Sequence, residues 1–442
     1  MARVLILLAL AAAAWPAAAA AAPRSILQDD ERLLRSDPGT RDRTLDELRA
    51  LGVDTVRVLA VWRDHAAAPL RRRAPARRLR SLAALDGLLA AARARGLDVL
   101  LTPTGPGPAW ASTCRGPARA RQACAPRPRA FAAFVRALGT RYPDQRLWAV
   151  WNEPNVHQWL NPQFDRRGRP VAPGRYRALV RAAARALRAT GHGGDELLIG
   201  DLASIGQTRR SPATRVMAAE PFARHLLRGR RLPATGFALH PYTLGANAPV
   251  CARGARGQLP PARLDRLRAL LDRAARRGVV RRRLGIWLTE AGFQTDPPDP
   301  LAGIPPRAQA ARINQLEWIA ARSRRVRSTA QYLLVDDRLR GGFQSGLRFA
   351  GGRAKPALAA YRLPIWVQRR GRGAQVWGRV RGAGGGELVE LQRRDARWRT
   401  VRRLTTGRDG VVHARVRAQG RWRLRWQDAV SRPAQARRSC TG

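Results

Sequence analysis

Between residues 25 and 337, short apolar runs alternate with amphipathic stretches, and this alternation restricts the fold more than any other feature of the 442-residue chain. The runs fall at 25–28, 55–61, 97–101, 147–150, 197–200, 236–239, 284–288 and 330–335. Runs this short, rich in Leu, Ile and Val and bounded by Gly, Pro or polar residues, read as strands buried on both faces. Helical patterns follow seven of the eight, for example 43–51 closed by Gly52 and 82–94 closed by Gly96. Eight strands in regular alternation with helices argue a parallel sheet closed on itself, an α/β fold of the (β/α)8 TIM barrel type. A doubly wound open sheet is the alternative, but no glycine-rich phosphate loop follows the first run.

After Pro364 the pattern changes to short runs at 366–368, 375–380, 388–392, 398–404, 411–416 and 422–426, often alternating apolar residues with Arg. Gly- and Asp-containing turns separate them, which predicts a small antiparallel β-sandwich with its aromatic face inward. The chain therefore divides into a leader at 1–23, a barrel at 24–363, a sandwich at 364–430 and a tail at 431–442.

The leader places Arg3 before an apolar run at 4–14 and small residues at 17–22, the order of a secretory signal and too short for a comfortable membrane span. A secreted or envelope-associated protein is expected. Four cysteines fit that compartment as two bridges. Cys114 and Cys124 lie close together in one loop and are expected to pair, leaving Cys251 and Cys440 for a bridge to the tail. No two cysteines show the close spacing of a zinc site.

The formal charge is +52, and Lys355 is the only lysine among 83 basic residues. The arginines are spread along the whole chain without a nucleic-acid-binding motif, so biased codon usage explains them better than a nucleic-acid partner. Electrostatic attachment to anionic cell-wall polymers remains an expectation of the charge.

Chemistry concentrates where strands end. The run 147–150 stops at Trp151-Asn152-Glu153-Pro154-Asn155, and the run 284–288 at Thr289-Glu290. Strands four and seven of a closed barrel face each other across its mouth, so Glu153 and Glu290 can share one cleft. Two facing carboxyls are the minimum equipment for cleaving a glycosidic bond. Asp29, Asp30, Asp336 and Asp337 also lie at strand tips, and Trp62, Trp110, Trp151, Trp159 and Phe343 are available for packing or sugar stacking.

The Asn152-Glu153-Pro154 and Thr289-Glu290 motifs, on strands four and seven, resemble the acid/base and nucleophile strands of clan A glycoside hydrolases, with family 5 cellulase-like and family 39-like members nearest in character. The resemblance spans about residues 25–362. It implies retaining hydrolysis of an oligosaccharide or polysaccharide, with Glu153 as acid/base, Glu290 as nucleophile and Asn152 on the sugar 2-hydroxyl. Arg57 is similar to the clan's arginine that contacts the nucleophile, and His240 with Tyr242 resembles its His-x-Tyr pair. Strand eight departs from the pattern, offering Tyr332, Leu334 and Asp336 where the clan has a tryptophan platform. No metal or organic cofactor is implied, and a monomer is expected. A catalytically inactive carbohydrate-binding barrel and a basic envelope-adhesion protein are the rival readings.

Overall fold

The structure, a computed structural model, describes residues 22–66, 68–69, 79–211, 213–243, 248–339 and 341–438. Most of the expected leader, most of the basic segment 71–80, and Cys440 lie outside these residues. Among the described residues, no helix is long and apolar enough to cross a membrane.

Eight parallel strands close in sequence order into a barrel. They are β1 (Arg24–Gln28), β2 (Thr55–Val61), β3 (Asp98–Thr104), β4 (Leu147–Ala149), β5 (Glu196–Ala203), β6 (Gly236–His240), β7 (Gly285–Leu288) and β8 (Val326–Tyr332). Outward-facing positions join the helices in one large core that includes Leu27, Val56, Val58, Leu101, Trp148, Ile199 and Leu239. Inward-facing positions form a separate apolar layer of Ile26, Leu100, Leu147, Ala149, Leu198, Ala238 and Trp287. Because strand side chains alternate faces, the next inward residues sit two positions on, at the C-terminal ends of the strands.

Strand eight is a correction. The run 330–335 was expected as the strand because Leu333, Leu334 and Val335 are its most apolar residues, yet β8 begins at Val326 and ends at Tyr332. Pairing with β1 in register, Ile26 opposite Ala330 and Gln28 opposite Tyr332, decides its position. Leu333 already has φ +71°, which takes it out of the strand.

The C-terminal unit consists of a three-stranded antiparallel sheet ordered β13-β10-β9 and a four-stranded one ordered β12-β11-β14-β15. The strands are β9 (Ile365–Arg370), β10 (Gly373–Arg379), β11 (Leu388–Arg394), β12 (Trp398–Thr405), β13 (Val411–Arg417), β14 (Arg421–Trp426) and β15 (Ala429–Val430). Their shared core contains Val367, Val376, Leu391, Leu424 and Trp422. Two other tryptophans do not face that core. Trp366 and Trp377 turn to the barrel helix Pro306–Ala321 and cluster with its Trp318, whose ring stacks on Trp366 at 5.4 Å. Their aromatic surface joins the two units rather than filling the sandwich.

A buried charge cluster completes this junction. Glu317, on the same helix, accepts from Arg379 at 2.8 Å and pairs with Arg381 at 3.2 Å. Arg381 also donates to the Ser25 hydroxyl at 2.6 Å, which ties the sandwich to the start of β1. Gly52, at φ +74°, lies so close to the Arg381 carbonyl that a Cβ there would approach it to 2.5 Å. The helix Pro38–Ala50 can therefore end against the second unit only with glycine after it.

Burial alone would raise the Glu317 carboxyl, but Arg381 and Arg379 outweigh it and hold the group below its usual range. Its contribution to stability is present above the unfolded value of about 4.3 and is lost as pH falls through the lower folded one. Glu317→Ala removes the bonded counter-charge of two buried arginines and should cost about 3–5 kcal/mol. A fall of that size in urea-unfolding stability at pH 7, shrinking toward pH 3, is the expected result. An unchanged midpoint would show that the cluster is not holding the two units together.

Candidate active site

Above the apolar layer the barrel interior becomes polar. Gln28 stands two residues after Ile26 on β1, Thr102 two after Leu100 on β3, His240 two after Ala238 on β6, and Thr289 two after Trp287, just past the end of β7. Arg57 on β2 and Asp201 on β5 are fully buried at this level. The first four follow the two-residue alternation from the apolar layer, and a register shift of β5 against β6 between Gly200 and Leu202 accompanies the inward placement of Asp201.

β4 is short, and its extension is held by other strands. Val150 donates to the Leu198 carbonyl at 3.0 Å, Trp151 to that of Pro103 at 3.0 Å, and Glu153 to that of Asp201 at 3.0 Å. Asn152 donates its backbone N–H to the Thr104 hydroxyl at 2.8 Å. These bonds keep Trp151 at φ +70° and Glu153 at φ +38°, with Asp201 nearby at φ +48°. Each such conformation costs on the order of 1–3 kcal/mol for a residue with a Cβ. The turn lets the Trp151 ring pack edge-on against Phe131, while Glu153 points into the mouth. A Cβ at Gly105 would lie 2.4 Å from the Trp151 ring, so glycine is needed there for the ring to fit.

The sequence-derived site residues converge. A carboxylate oxygen of Glu153 lies within 4.8 Å of one of Glu290. Glu290 accepts from Arg57 Nη1 at 3.0 Å on one oxygen and from the Tyr242 hydroxyl at 2.8 Å on the other. Glu153 has a different partner, His240 Nδ1, at 2.9 Å. Arg57 also donates to the Asn152 side-chain oxygen at 2.7 Å. Asn152 is thereby held by its oxygen, and its NH2 is the end that remains to donate into the cleft.

Asp201 completes the cluster, and reading the sequence did not single it out. It accepts from Arg57 Nη2 at 2.6 Å, from His240 Nε2 at 3.1 Å and from the Thr289 hydroxyl at 2.6 Å. The expected strand 197–200 stopped one residue short of it, whereas β5 runs on to Ala203. The available signal was a lone carboxylate inside the apolar stretch Leu197-Leu198-Ile199-Gly200-Asp201-Leu202-Ala203. A charge in such a strand must be paired or neutralised.

The charges sustain one another. Burial would raise the Asp201 carboxyl, but Arg57 and His240 hold it well below the usual carboxylate range. Burial opposes the charge on His240, yet Glu290 and Asp201 push the imidazole up to about 10. Burial likewise opposes the Arg57 charge, and Asp201 and Glu290 raise it beyond the ordinary guanidinium range. The Tyr242 phenol is pushed well up by burial and then by Glu290, so it remains a donor. Asp30, beside Gln28, is raised by burial to about 6 against the pull of Arg57.

Other strand-tip residues are structural. Asp29 caps the helix Asp30–Leu34 and accepts from the backbone of Leu334 and Val335. Asp336 is buried and paired with Lys355 at 2.7 Å. Among the aromatic residues, Trp62 and Trp151 are fully buried and Trp110 packs edge-on against Trp62. Trp159 and Phe343 border the cleft. Cys114 and Cys124 are joined as expected, in the loop after β3.

Glu153, His240 and Glu290 offer three donor atoms within 4.8 Å of one another. Both His240 nitrogens are committed to carboxylates and the ring is cationic at neutral pH, so the trio is an ion-pair cluster rather than a set of metal ligands. The arrangement suits proton transfer at Glu153 beside a carboxylate, Glu290, whose two oxygens are both fixed by donors.

A family 39 glycoside hydrolase from the gut symbiont Bacteroides cellulosilyticus WH2 matches with a TM-score of 0.58 at 13% identity, over 92% of this chain and 81% of that one. A GH5-4 broad specificity endoglucanase from Clostridium acetobutylicum matches with a TM-score of 0.50 at 13% identity, over 73% of this chain and 91% of that one. Both belong to the families that the sequence motifs resemble, and at this identity the likeness shows the barrel fold. No protein-family model matches the chain. No curated protein matches it either.

The raised His240 contributes stability that is fully present below the unfolded value of about 6.5 and is lost as pH rises toward about 10. In a histidine NMR titration His240 should stay protonated through pH 9. Asp201→Asn should lower its titration by roughly one unit or more. A wild-type His240 that titrates near pH 6.5 would contradict this account of the cluster.

Proposed function

We propose that this protein is a retaining glycoside hydrolase in which Glu290 attacks the anomeric carbon and Glu153 moves the proton. The observation that carries the proposal is the pair of carboxylates within 4.8 Å across the barrel mouth, each with its own set of donors. Retaining enzymes hold their two carboxyl groups about 5–5.5 Å apart, and inverting ones about 6.5–9.5 Å. The short separation supports retention, since it leaves no room for a water between the carboxyl on the far face and the sugar.

The roles follow from the partners. Arg57 and Tyr242 fix both oxygens of Glu290, which orients the carboxylate for attack and partners its charge. In the first step a Glu290 oxygen bonds to the anomeric carbon, the glycosidic bond breaks, and the Glu153 proton goes to the departing oxygen, releasing an alcohol. In the second step Glu153, now a carboxylate facing the His240 cation, takes a proton from water. That water oxygen bonds to the anomeric carbon, Glu290 is released, and the configuration is restored. The Asn152 NH2 is placed to donate to the sugar 2-hydroxyl, and Arg57 holds it there.

The proposal includes secretion, resting on the leader-like order of residues 1–23, and the cleavage of a β-glycosidic bond. The charge of +52 favours retention near anionic wall polymers, in a salt-sensitive manner.

Glu290→Ala should lose roughly 10⁴-fold or more in turnover, and added azide should not restore a product of retained configuration. Glu153→Ala should still be glycosylated by substrates with activated leaving groups and then stall, with azide releasing a glycosyl azide of retained configuration. Near-native hydrolysis by both variants across a glycan panel would remove the assignment.

A further inference from the structure

The two glutamates stand between two lobes of one cleft, and the lobes differ in chemistry. Glu153, Gln158, Glu290 and Phe343 border both. The first lobe, about 490 Å³, lies over the tips of β1, β2, β3 and β8 and is lined by Asp30, Asp64, His65, Asn152, Trp159 and Tyr332 among others. The second, about 580 Å³, lies over β4 to β7. Asn152 borders the first lobe only, so the sugar that becomes attached to Glu290 sits there. The departing alcohol must then occupy the second lobe.

Most of the surface of that second lobe is carbon, from Val156, Ile205, Val216, Phe293 and Ile304 with Leu301 at its rim, while Arg215, Gln294 and Arg312 belong to its polar lining. Among the described residues no tryptophan lines it, while Trp159 lines the sugar lobe. The rim also carries exposed apolar side chains. Leu301 is 91% exposed and Phe343 47%, two of the five large exposed hydrophobic residues among those described. Apolar side chains gathered at a cleft mouth and left in water mark a site for an apolar partner.

We infer that the aglycone subsite takes an apolar alcohol or phenol, so that the substrate is an alkyl or aryl glycoside rather than a chain of sugars. This rests on the proposed hydrolase chemistry and specifies the leaving group of the same site. The released alcohol carries the proton from Glu153, and water supplies the hydroxyl that remains on the sugar.

β-Glycosyl fluorides of the common pyranoses identify the accepted sugar without using the second lobe, because fluoride is the leaving group. For the best fluoride, the octyl glycoside and the β-1,4-linked disaccharide of the same sugar are then compared. The octyl glycoside should be favoured at least about tenfold in kcat/KM, a difference of about 1.4 kcal/mol and a small part of what burying an eight-carbon chain can give. The double variant Leu301→Asn, Ile205→Asn should lower the ratio of octyl glycoside to fluoride turnover about tenfold or more, the fluoride rate of the same variant serving as reference. Independently, wild-type enzyme given fluoride with 1-hexanol or glucose as acceptor should form hexyl glycoside in preference to disaccharide. Equal or better use of the disaccharide, an unchanged ratio in the variant, or preferential transfer to glucose would overturn the aglycone assignment alone. No turnover of any fluoride would overturn the hydrolase reading, and this inference with it.

Discussion

The Arg57 guanidinium, fully buried on β2, is the interaction on which the mouth of the barrel depends. It touches Gln28 on β1, Asn152 after β4, Asp201 on β5 and Glu290 after β7. Taking a charge out of water costs several kcal/mol even after relaxation, and the cost is offset only when partners are held at good geometry. Arg57 and His240 supply two positive charges, and Asp201 and Glu290 two negative ones, within a network of bonds between 2.6 and 3.1 Å. Each of the four offsets part of the burial cost of its neighbours. The cluster thus fixes the relative heights of four strand tips while it orients the groups proposed to react.

The strain at the β4 tip becomes intelligible against that frame. Glu153 reaches the mouth only because Trp151 and Glu153 both adopt positive φ, and the Glu153 N–H to Asp201 carbonyl bond holds the second of these turns. Asp201 therefore acts twice, through its backbone on Glu153 and through its side chain on His240, which bonds the same glutamate. Moving that one residue would alter both the position of Glu153 and the charge facing it. The apolar layer beneath, from Ile26 round to Trp287, excludes water from the underside of the cluster. A low local dielectric strengthens each of its pairings.

Much of this was legible in the residues. Apolar runs located seven of the eight strands well, because strands covered on both faces must be apolar along their length. The polar residues that end them, Asn152, Glu153, His240 and Glu290, stood out for the same reason. β8 was misplaced because Val326–Tyr332 carries Arg, Ser, Thr and Gln, while Leu334 and Val335 after it join the main core from outside the strand. Asp201 escaped notice because glycine at 200 looked like a strand end, and no local pattern reveals that a lone carboxylate has two cations waiting on β2 and β6. The tryptophans of β9 and β10 were read as sandwich core, since a period of two says that one face is buried and not what covers it. Their cover is a barrel helix, which only the tertiary structure supplies.

The composition acquires a physical meaning at two positions. All but one of the 83 basic residues are arginine, and most of these lie on the surface, where lysine would serve equally. At Arg57 it would not, since the planar fork reaches four acceptors on different strands, and an ammonium on a flexible stem cannot span them. Lys355 shows the converse. Its Nζ sits in a closed pocket, bonded to Asp336 at 2.7 Å, the Thr295 hydroxyl at 2.8 Å and the Gln344 carbonyl at 3.0 Å. Three acceptors converge on a point, which suits an ammonium and leaves no space for a fork. They come from the loops after β7 and β8, and the second of these carries Phe343 to the cleft rim. The lone lysine thus anchors the loop that brings Phe343 to the border of both lobes of the proposed substrate site.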